Sequence, residues 1–259
     1  MSFGTVCLMY HELELPGRPL CQSEEGYVRY VVSLDNFRSH IKVLRDAGLT
    51  GISVSQMLDG KRGVTITFDD GCETDVLAAA PLLRDYGFSA TFYITTGYVG
   101  TTGYLTRDQV RALAGSNCEI GCHSFTHPYL PDLRDADMLR EIAGAKEALQ
   151  QICGKSVDHF SCPGGRWSPK VAEMARESGY RSVATSRAGK NFTTTNPFHL
   201  ARVAVMRDTT ESQFLRLAQG RGLWPLQLRS HARSAIRTLV GNSTYDRMRM
   251  LLLKSKRGY

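Results

Sequence analysis

Apolar positions along this chain follow two periods, and the change from one to the other recurs. Short runs rich in β-branched and aromatic residues read as buried strands: Thr5 to Tyr10, Leu49 to Ile52, Thr65 to Phe68, Ala90 to Thr95, Cys118 to Cys122, Tyr180 to Thr185 and Leu200 to Val205. Between them apolar residues fall three and four apart. Phe37, Ile41, Leu44 and Ala47 do so behind the N-cap Ser33, and Met138, Ile142, Ala145 and Leu149 do so in a long helix predicted from Asp135 to about Cys153. Shorter helices are predicted over Val54 to Leu58 behind Ser53, Thr74 to Tyr86 disturbed by Pro81, Thr106 to Ala114 capped by Thr106, Ser168 to Ser178, and Glu211 to Ala218.

Parallel strands need a crossover between them, so alternation of this kind makes a parallel sheet, and about seven repeats curl it into a closed or partly open barrel. The pattern predicts an α/β fold of the (β/α)7 type in residues 1–220 as a single domain. Gly220 and Gly222 then mark a break. Beyond it, Leu226 to Val240 sets Leu228, Ala232, Ala235, Ile236 and Leu239 against Arg229, Arg233 and Arg237, so residues 221–259 read as a basic amphipathic helical extension that frays at Lys254 to Tyr259. Its apolar face either packs on the barrel or lies on an anionic membrane surface.

Charge sharpens that division. Residues 221–259 carry nine Lys and Arg against the single acid Asp246, whereas the first 220 carry 23 against 24 acids. A neutral body with a basic tail argues against a nucleic-acid-binding catalytic domain and points to an anionic partner for the tail, either a membrane surface or a phosphate-bearing substrate. No run approaches the roughly 20 apolar residues of a spanning helix. The N-terminal residues lack the pattern of a signal peptide, so the expected location is cytoplasmic, with peripheral contact at the inner membrane face. Seven cysteines without a Cys-x-x-Cys pair indicate neither a disulfide framework nor a zinc knuckle, although Cys72, Cys122 and Cys162 adjoin the segments discussed next.

One predicted strand stops at Asp69-Asp70-Gly71, which delivers two carboxylates at its C-terminal end, where α/β enzymes keep their chemistry. Successive side chains leave a strand in different directions, so one acid can bind a metal while its neighbour stays free as a base. A plain acidic turn would use the same residues. The second cluster, Cys122-His123-Ser124-Phe125-Thr126-His127-Pro128, shifts the balance, because two imidazoles four residues apart plus a carboxylate make a ligand set with an open position.

These segments resemble the motifs of the polysaccharide deacetylases of carbohydrate esterase family 4. Thr67-Phe68-Asp69-Asp70-Gly71 is similar to the first motif, His123-Ser124-Phe125-Thr126-His127 to the second, and Phe160-Ser161-Cys162-Pro163-Gly164-Gly165 to the third. Ala90 to Ile94 is similar to the family's intervening strand, and the resemblance spans roughly residues 5–207. It implies a distorted, partly open barrel and a metal-dependent hydrolase that removes N-acetyl groups from an amino sugar in a glycan or glycan precursor. Asp70, His123 and His127 would hold one divalent ion, with zinc expected and cobalt, nickel or manganese also suitable. Asp69 would be the base acting on a metal-bound water, and the backbone N–H of Gly164 would help stabilise the oxyanion.

The same resemblance names candidates for the general acid. One branch of the family begins with a strand ending in Tyr-His and uses that histidine, so His11 after Tyr10 is preferred. A late Leu-x-Leu-x-His motif is missed by one position at Leu226 to His231, and His199 precedes its strand rather than following it. Many members carry an arginine that pairs with the base where this chain has Ser161. Arg166 is a nearby substitute and also reads as a surface residue after a glycine turn. Trp167 either stacks on a sugar face or fills the core. A rival reading is a weak or inactive glycan-binding protein on the same fold, but retention of Asp69 argues against it. A metal-dependent barrel enzyme of other chemistry, such as an isomerase or an amidase on a non-sugar substrate, is a third.

Overall fold

The computed structural model describes residues 4–240. The frayed tail expected at Lys254 to Tyr259 and five of the nine basic residues of the extension lie outside them. The strands are β1 (Cys7–Tyr10), β2 (Leu13–Glu14), β3 (Val32–Ser33), β4 (Gly51–Ile52), β5 (Val64–Phe68), β6 (Thr91–Ile94), β7 (Glu119–Cys122), β8 (His159–Ser161), β9 (Ser182–Ala184) and β10 (Val203–Ala204). Eight form one parallel sheet in the order β10-β1-β5-β6-β7-β8-β9, with β4 beside the first half of β5, and β2 pairs β3 separately. The sheet curls until both edges meet one segment: Ala184 of β9 bridges Leu200, and β10, just beyond, pairs with β1. That handover explains why the strand predicted from Leu200 to Val205 is regular over only two residues. The result is the distorted, partly open α/β barrel expected from the alternation.

Register sorts the side chains into two layers. Tyr10 pairs with Phe68 and Phe68 with Phe92, and their rings stack at 5.2 Å and 4.8 Å on the helix side, in the main apolar core. The opposite parity faces inward and is largely polar: Thr65, Thr67 and Asp69 on β5 and its end, Thr91 and Tyr93 on β6, Glu119 on β7, His159 and Ser161 on β8. Gly121 is the small member of this inner layer, because a Cβ there would come within 2.4 Å of the Tyr93 ring.

Helix starts follow the caps. The hydroxyls of Ser53 and Thr106 form capping boxes with Gln56 and Gln109, and Ser33 and Ser168 accept backbone N–H groups at their own helices. The long helix from Asp135 to Cys153 buries Met138, Ile142, Ala145 and Leu149 but widens to a π-turn over Arg140–Gly144. A second π-turn, Asp75–Ala79, precedes the helix Ala80–Asp85, where Pro81 has no N–H to continue a regular ladder backwards. Both wide turns carry a buried acid, Glu141 and Asp75, beside the loops described below.

The extension forms a helix over Trp224–Val240. Leu223 and Ser230 are buried and Leu226 packs on the core, but Leu228, Ala232, Ala235 and Ile236, the described members of the predicted apolar face, are exposed. Among the described residues no helix is long and apolar enough to cross a membrane.

Candidate active site

β5 and β7 end at the same mouth of the barrel, so the acids and the imidazoles arrive from two distant parts of the chain. Asp70 follows β5 with φ of +80° and is succeeded by Gly71 at +82°, a reversal that turns the Asp70 side chain away from that of Asp69. A Cβ on Gly71 would come within 2.9 Å of Ile94, so no larger residue fits this turn. On the other side, Ser124 and His127 also adopt positive φ, wrapping His123 to His127 into a tight loop. The buried Glu141 carboxylate fastens that loop, accepting the backbone N–H groups of Phe125 (2.9 Å) and Thr126 (2.8 Å) and the Thr126 hydroxyl (2.7 Å).

Asp70 Oδ1 lies 3.5 Å from Nε2 of both His123 and His127. One ligand atom from each of the three residues falls within 4.8 Å of the others. His123 Nδ1–H donates to the Ser161 carbonyl at 2.8 Å, which fixes the tautomer and leaves Nε2 with its lone pair facing Asp70. Burial pushes the His123 imidazole down to about 4, so it stays neutral. Asp70 Oδ1 is buried and has no hydrogen-bond partner in the protein. An unpaired carboxylate oxygen facing two imidazole nitrogens is costly unless a cation joins them, and two nitrogens with one oxygen suit a divalent ion. These three residues therefore fit a metal site.

Asp69 points into the barrel and is 2% exposed. Its partner is Arg202, itself 1% exposed, whose Nη1 and Nη2 donate to Oδ1 at 2.7 Å and Oδ2 at 2.8 Å. The guanidinium is held in turn by the Thr185 carbonyl (2.9 Å) and the Ser161 hydroxyl (2.7 Å). Burial alone would raise the Asp69 carboxyl. The Arg202 charge, with smaller help from His123, outweighs burial and holds the acid well below the usual carboxylate range. The arginine expected at the position of Ser161 thus arrives from the barrel's closing segment, and Ser161 keeps a supporting hydroxyl.

His11 comes directly after β1, where Tyr10 pairs with Phe68 and the Asp69 N–H donates to the Tyr10 carbonyl, so His11 stands level with Asp69 on the neighbouring strand. Its ring lies 4.8 Å from Tyr30, and its buried Nδ1 has no partner in the protein. Gly164 sits at φ +58° in the turn after β8, against the Tyr129 ring.

One expectation is corrected. Arg166 does not reach Asp69 and is not a surface residue: it is 5% exposed, with its guanidinium over the Tyr129 ring at 4.5 Å. Trp167 offers no open face on the side covered by His199, whose ring stacks on it at 4.0 Å, and its indole N–H donates to the Phe198 carbonyl at 2.8 Å. The same stack occupies His199, and His231 is exposed on the C-terminal helix.

The family model for polysaccharide deacetylases matches residues 58–183. The poly-β-1,6-N-acetyl-D-glucosamine N-deacetylase of Staphylococcus aureus is 34% identical over 210 residues, covering 73% of this chain and 72% of that protein. The chain belongs to the polysaccharide deacetylase family. A chitooligosaccharide deacetylase of Azorhizobium caulinodans is 30% identical over 135 residues, 51% of this chain and 62% of that protein. In fold, this deacetylase chain resembles the Streptococcus pyogenes deacetylase PplD, with a TM-score of 0.74 at 20% identity over 84% of this chain and 99% of that one. The family makes this a carbohydrate deacetylase.

Sequence reasoning missed three residues at this deacetylase site. Arg202 had a signal, a lone charge inside the apolar run Leu200 to Val205, since a charge on a buried strand demands a partner. Glu141 had a weaker one, an acid beside the buried Ile142 of a helix face. Tyr129 had none beyond its nearness to His127.

Proposed function

We propose that this chain is a metal-dependent N-deacetylase acting on N-acetylhexosamine in a glycan or glycan precursor. The observation that carries the reading is the unpaired Asp70 oxygen facing His123 and His127 beside an Asp69 clamped by Arg202. The named activity of the Staphylococcus aureus relative makes N-acetylglucosamine units the first substrate to try.

Asp70, His123 and His127 would hold the ion, with zinc the first choice for two imidazoles and a carboxylate, and cobalt, nickel or manganese compatible. When bound, a divalent cation supplies Lewis acidity, lowering the pKa of a water and polarising the amide carbonyl. Asp69, kept ionised by Arg202, takes the proton from the attacking water. So depressed a carboxylate is a weak base for that proton. His11, level with Asp69 across β1 and β5, delivers a proton to the departing amine, and the Gly164 N–H is placed as the oxyanion donor.

The test is acetate release from monomeric, nucleotide-linked, lipid-linked and polymeric N-acetylhexosamines, with chelator and after adding back each metal. Activity should vanish on chelation and return with zinc or cobalt. Turnover that survives removal of metal would overturn the reading, and saturable glycan binding without acetate would favour the inactive binder.

A further inference from the structure

Three segments meet just outside the metal cluster: the stretch from Glu12 to Tyr30, the residue after Gly71, and Gly103. The sulfurs of Cys21 and Cys72 and a Glu12 oxygen lie within 4.8 Å of one another. Of the seven cysteines, six are buried and Cys21 alone is partly exposed. Its thiol donates to the Gly103 carbonyl at 3.0 Å and has Arg18 Nη2 at 4.0 Å, a cation that favours the thiolate. Cys72 is fully buried, 3.3 Å from the Tyr27 hydroxyl.

Glu12 sets this geometry without being spare. Its carboxylate accepts Arg18 Nη1 (2.6 Å), the Cys21 backbone N–H (2.9 and 3.2 Å) and the Tyr27 hydroxyl (3.0 Å). With those lone pairs taken, the group is not a ligand set awaiting an ion, although its residue types would suit one. What it does is hold the Cys21 backbone so that a reachable sulfur abuts a buried one, the arrangement in which one thiol is attacked and the other resolves it. Side-chain rotation can close a gap of this size to a disulfide provided the backbones are near.

We infer that Cys21 and Cys72 form an oxidation site that closes to a disulfide under hydrogen peroxide, tethering the segment between His11 and Tyr30 to the Asp69-Asp70-Gly71 turn. The Cys21 thiolate attacks one peroxide oxygen, breaking the O–O bond to give a sulfenic acid and hydroxide, which leaves as water with the thiol's proton. The Cys72 sulfur then attacks Cys21, forming the S–S bond and expelling hydroxide, which takes the Cys72 proton and leaves as a second water. Two electrons pass from the sulfurs to the peroxide. The tether holds Tyr30, whose ring lies against His11.

The readout needs no substrate, so it stands or falls apart from the deacetylase reading. The reduced full chain is treated with a few equivalents of hydrogen peroxide and mapped without reductant. Free thiols should fall from seven to five, with one crosslinked peptide joining Cys21 to Cys72, reversed by dithiothreitol. Tryptic cleavage after the exposed Arg29 should slow roughly fivefold in the oxidised protein and not in Cys21→Ser or Cys72→Ala. Cys21→Ser, altering the partly exposed partner, serves alone if Cys72→Ala fails to fold. Sulfinic or sulfonic acid at Cys21 with Cys72 still a thiol, a crosslink elsewhere, a chelatable metal masking both thiols, or unchanged cleavage would each overturn the proposal.

Discussion

The two mouths of this barrel are built from the same residue types and end up chemically opposite. At the N-terminal mouth the helix Val54–Leu58 lies across the opening, with the Val54 N–H donating to Thr91 Oγ1 and the Val54 side chain packed near Tyr93, Ala184 and Leu200. There His159 has Ser55 Oγ at 2.8 Å from Nε2 and Ser182 Oγ at 2.8 Å from Nδ1. Glu119 accepts the Thr91 hydroxyl at 2.5 Å and lies 3.4 Å from His159 Nε2. At the C-terminal mouth, Asp70 Oδ1 and His11 Nδ1 are buried with no protein partner. An imidazole beside a carboxylate does not make a reactive site. Leaving such groups unpaired does, because the protein then bears a desolvation cost that only a ligand relieves.

The largest test of that contrast is Asp69→Asn, which should cut acetate release by roughly 10³-fold or more while bound metal stays near one per chain. His127→Ala should lose both, and an Asp69→Asn protein with full activity would remove Asp69 as base. Next comes Arg202→Met, which leaves the Asp69 charge buried without its partner and should cost about 3–5 kcal/mol in urea unfolding. Pairing it with Asp69→Asn should recover part of that loss, and an additive double variant would show that the two side chains do not interact. His11→Ala should slow turnover by roughly 10²-fold, with His199→Ala and His231→Ala near wild type; equal and mild effects in all three would take His11 out of the mechanism.

The smallest effect belongs to the sealed mouth. Although burial would raise it, hydrogen bonding and charge from His159, with bonds from Ser55 and Thr91, hold the Glu119 carboxyl at about 2 against an ordinary 4.5. The stability this contributes is complete above about 4.5 and is lost as pH falls towards 2, since the unfolded chain takes up the proton first. Glu119→Gln should therefore unfold more easily at neutral pH, by on the order of 1–2 kcal/mol after allowing for partial solvent access, and show a flatter acid limb. Metal content should not change. A Glu119→Gln protein that bound less metal would break the distinction between the two ends.

Local chemistry made much of this molecule readable. Ser33, Ser53, Thr106 and Ser168 start helices because their hydroxyls meet N–H groups within a few residues, and strand and helix periods declare which face is buried. The adjacent carboxylates at a strand end and the two imidazoles one loop apart were visible for the same reason. The exposed apolar residues of the C-terminal helix show the limit: periodicity says that a face is apolar, not what covers it.

By itself the sequence determined the alternation of elements and the residue types at the two chemical segments, since each depends on neighbours along the chain. Tertiary structure alone decided that Arg202, rather than Arg166, clamps Asp69, that Trp167 stacks on His199, and that Cys21 meets Cys72. Those pairings span long stretches of chain. The Arg202 pairing exists because curling the sheet brings residues 200–204 between β9 and β1, a closure that no local period encodes.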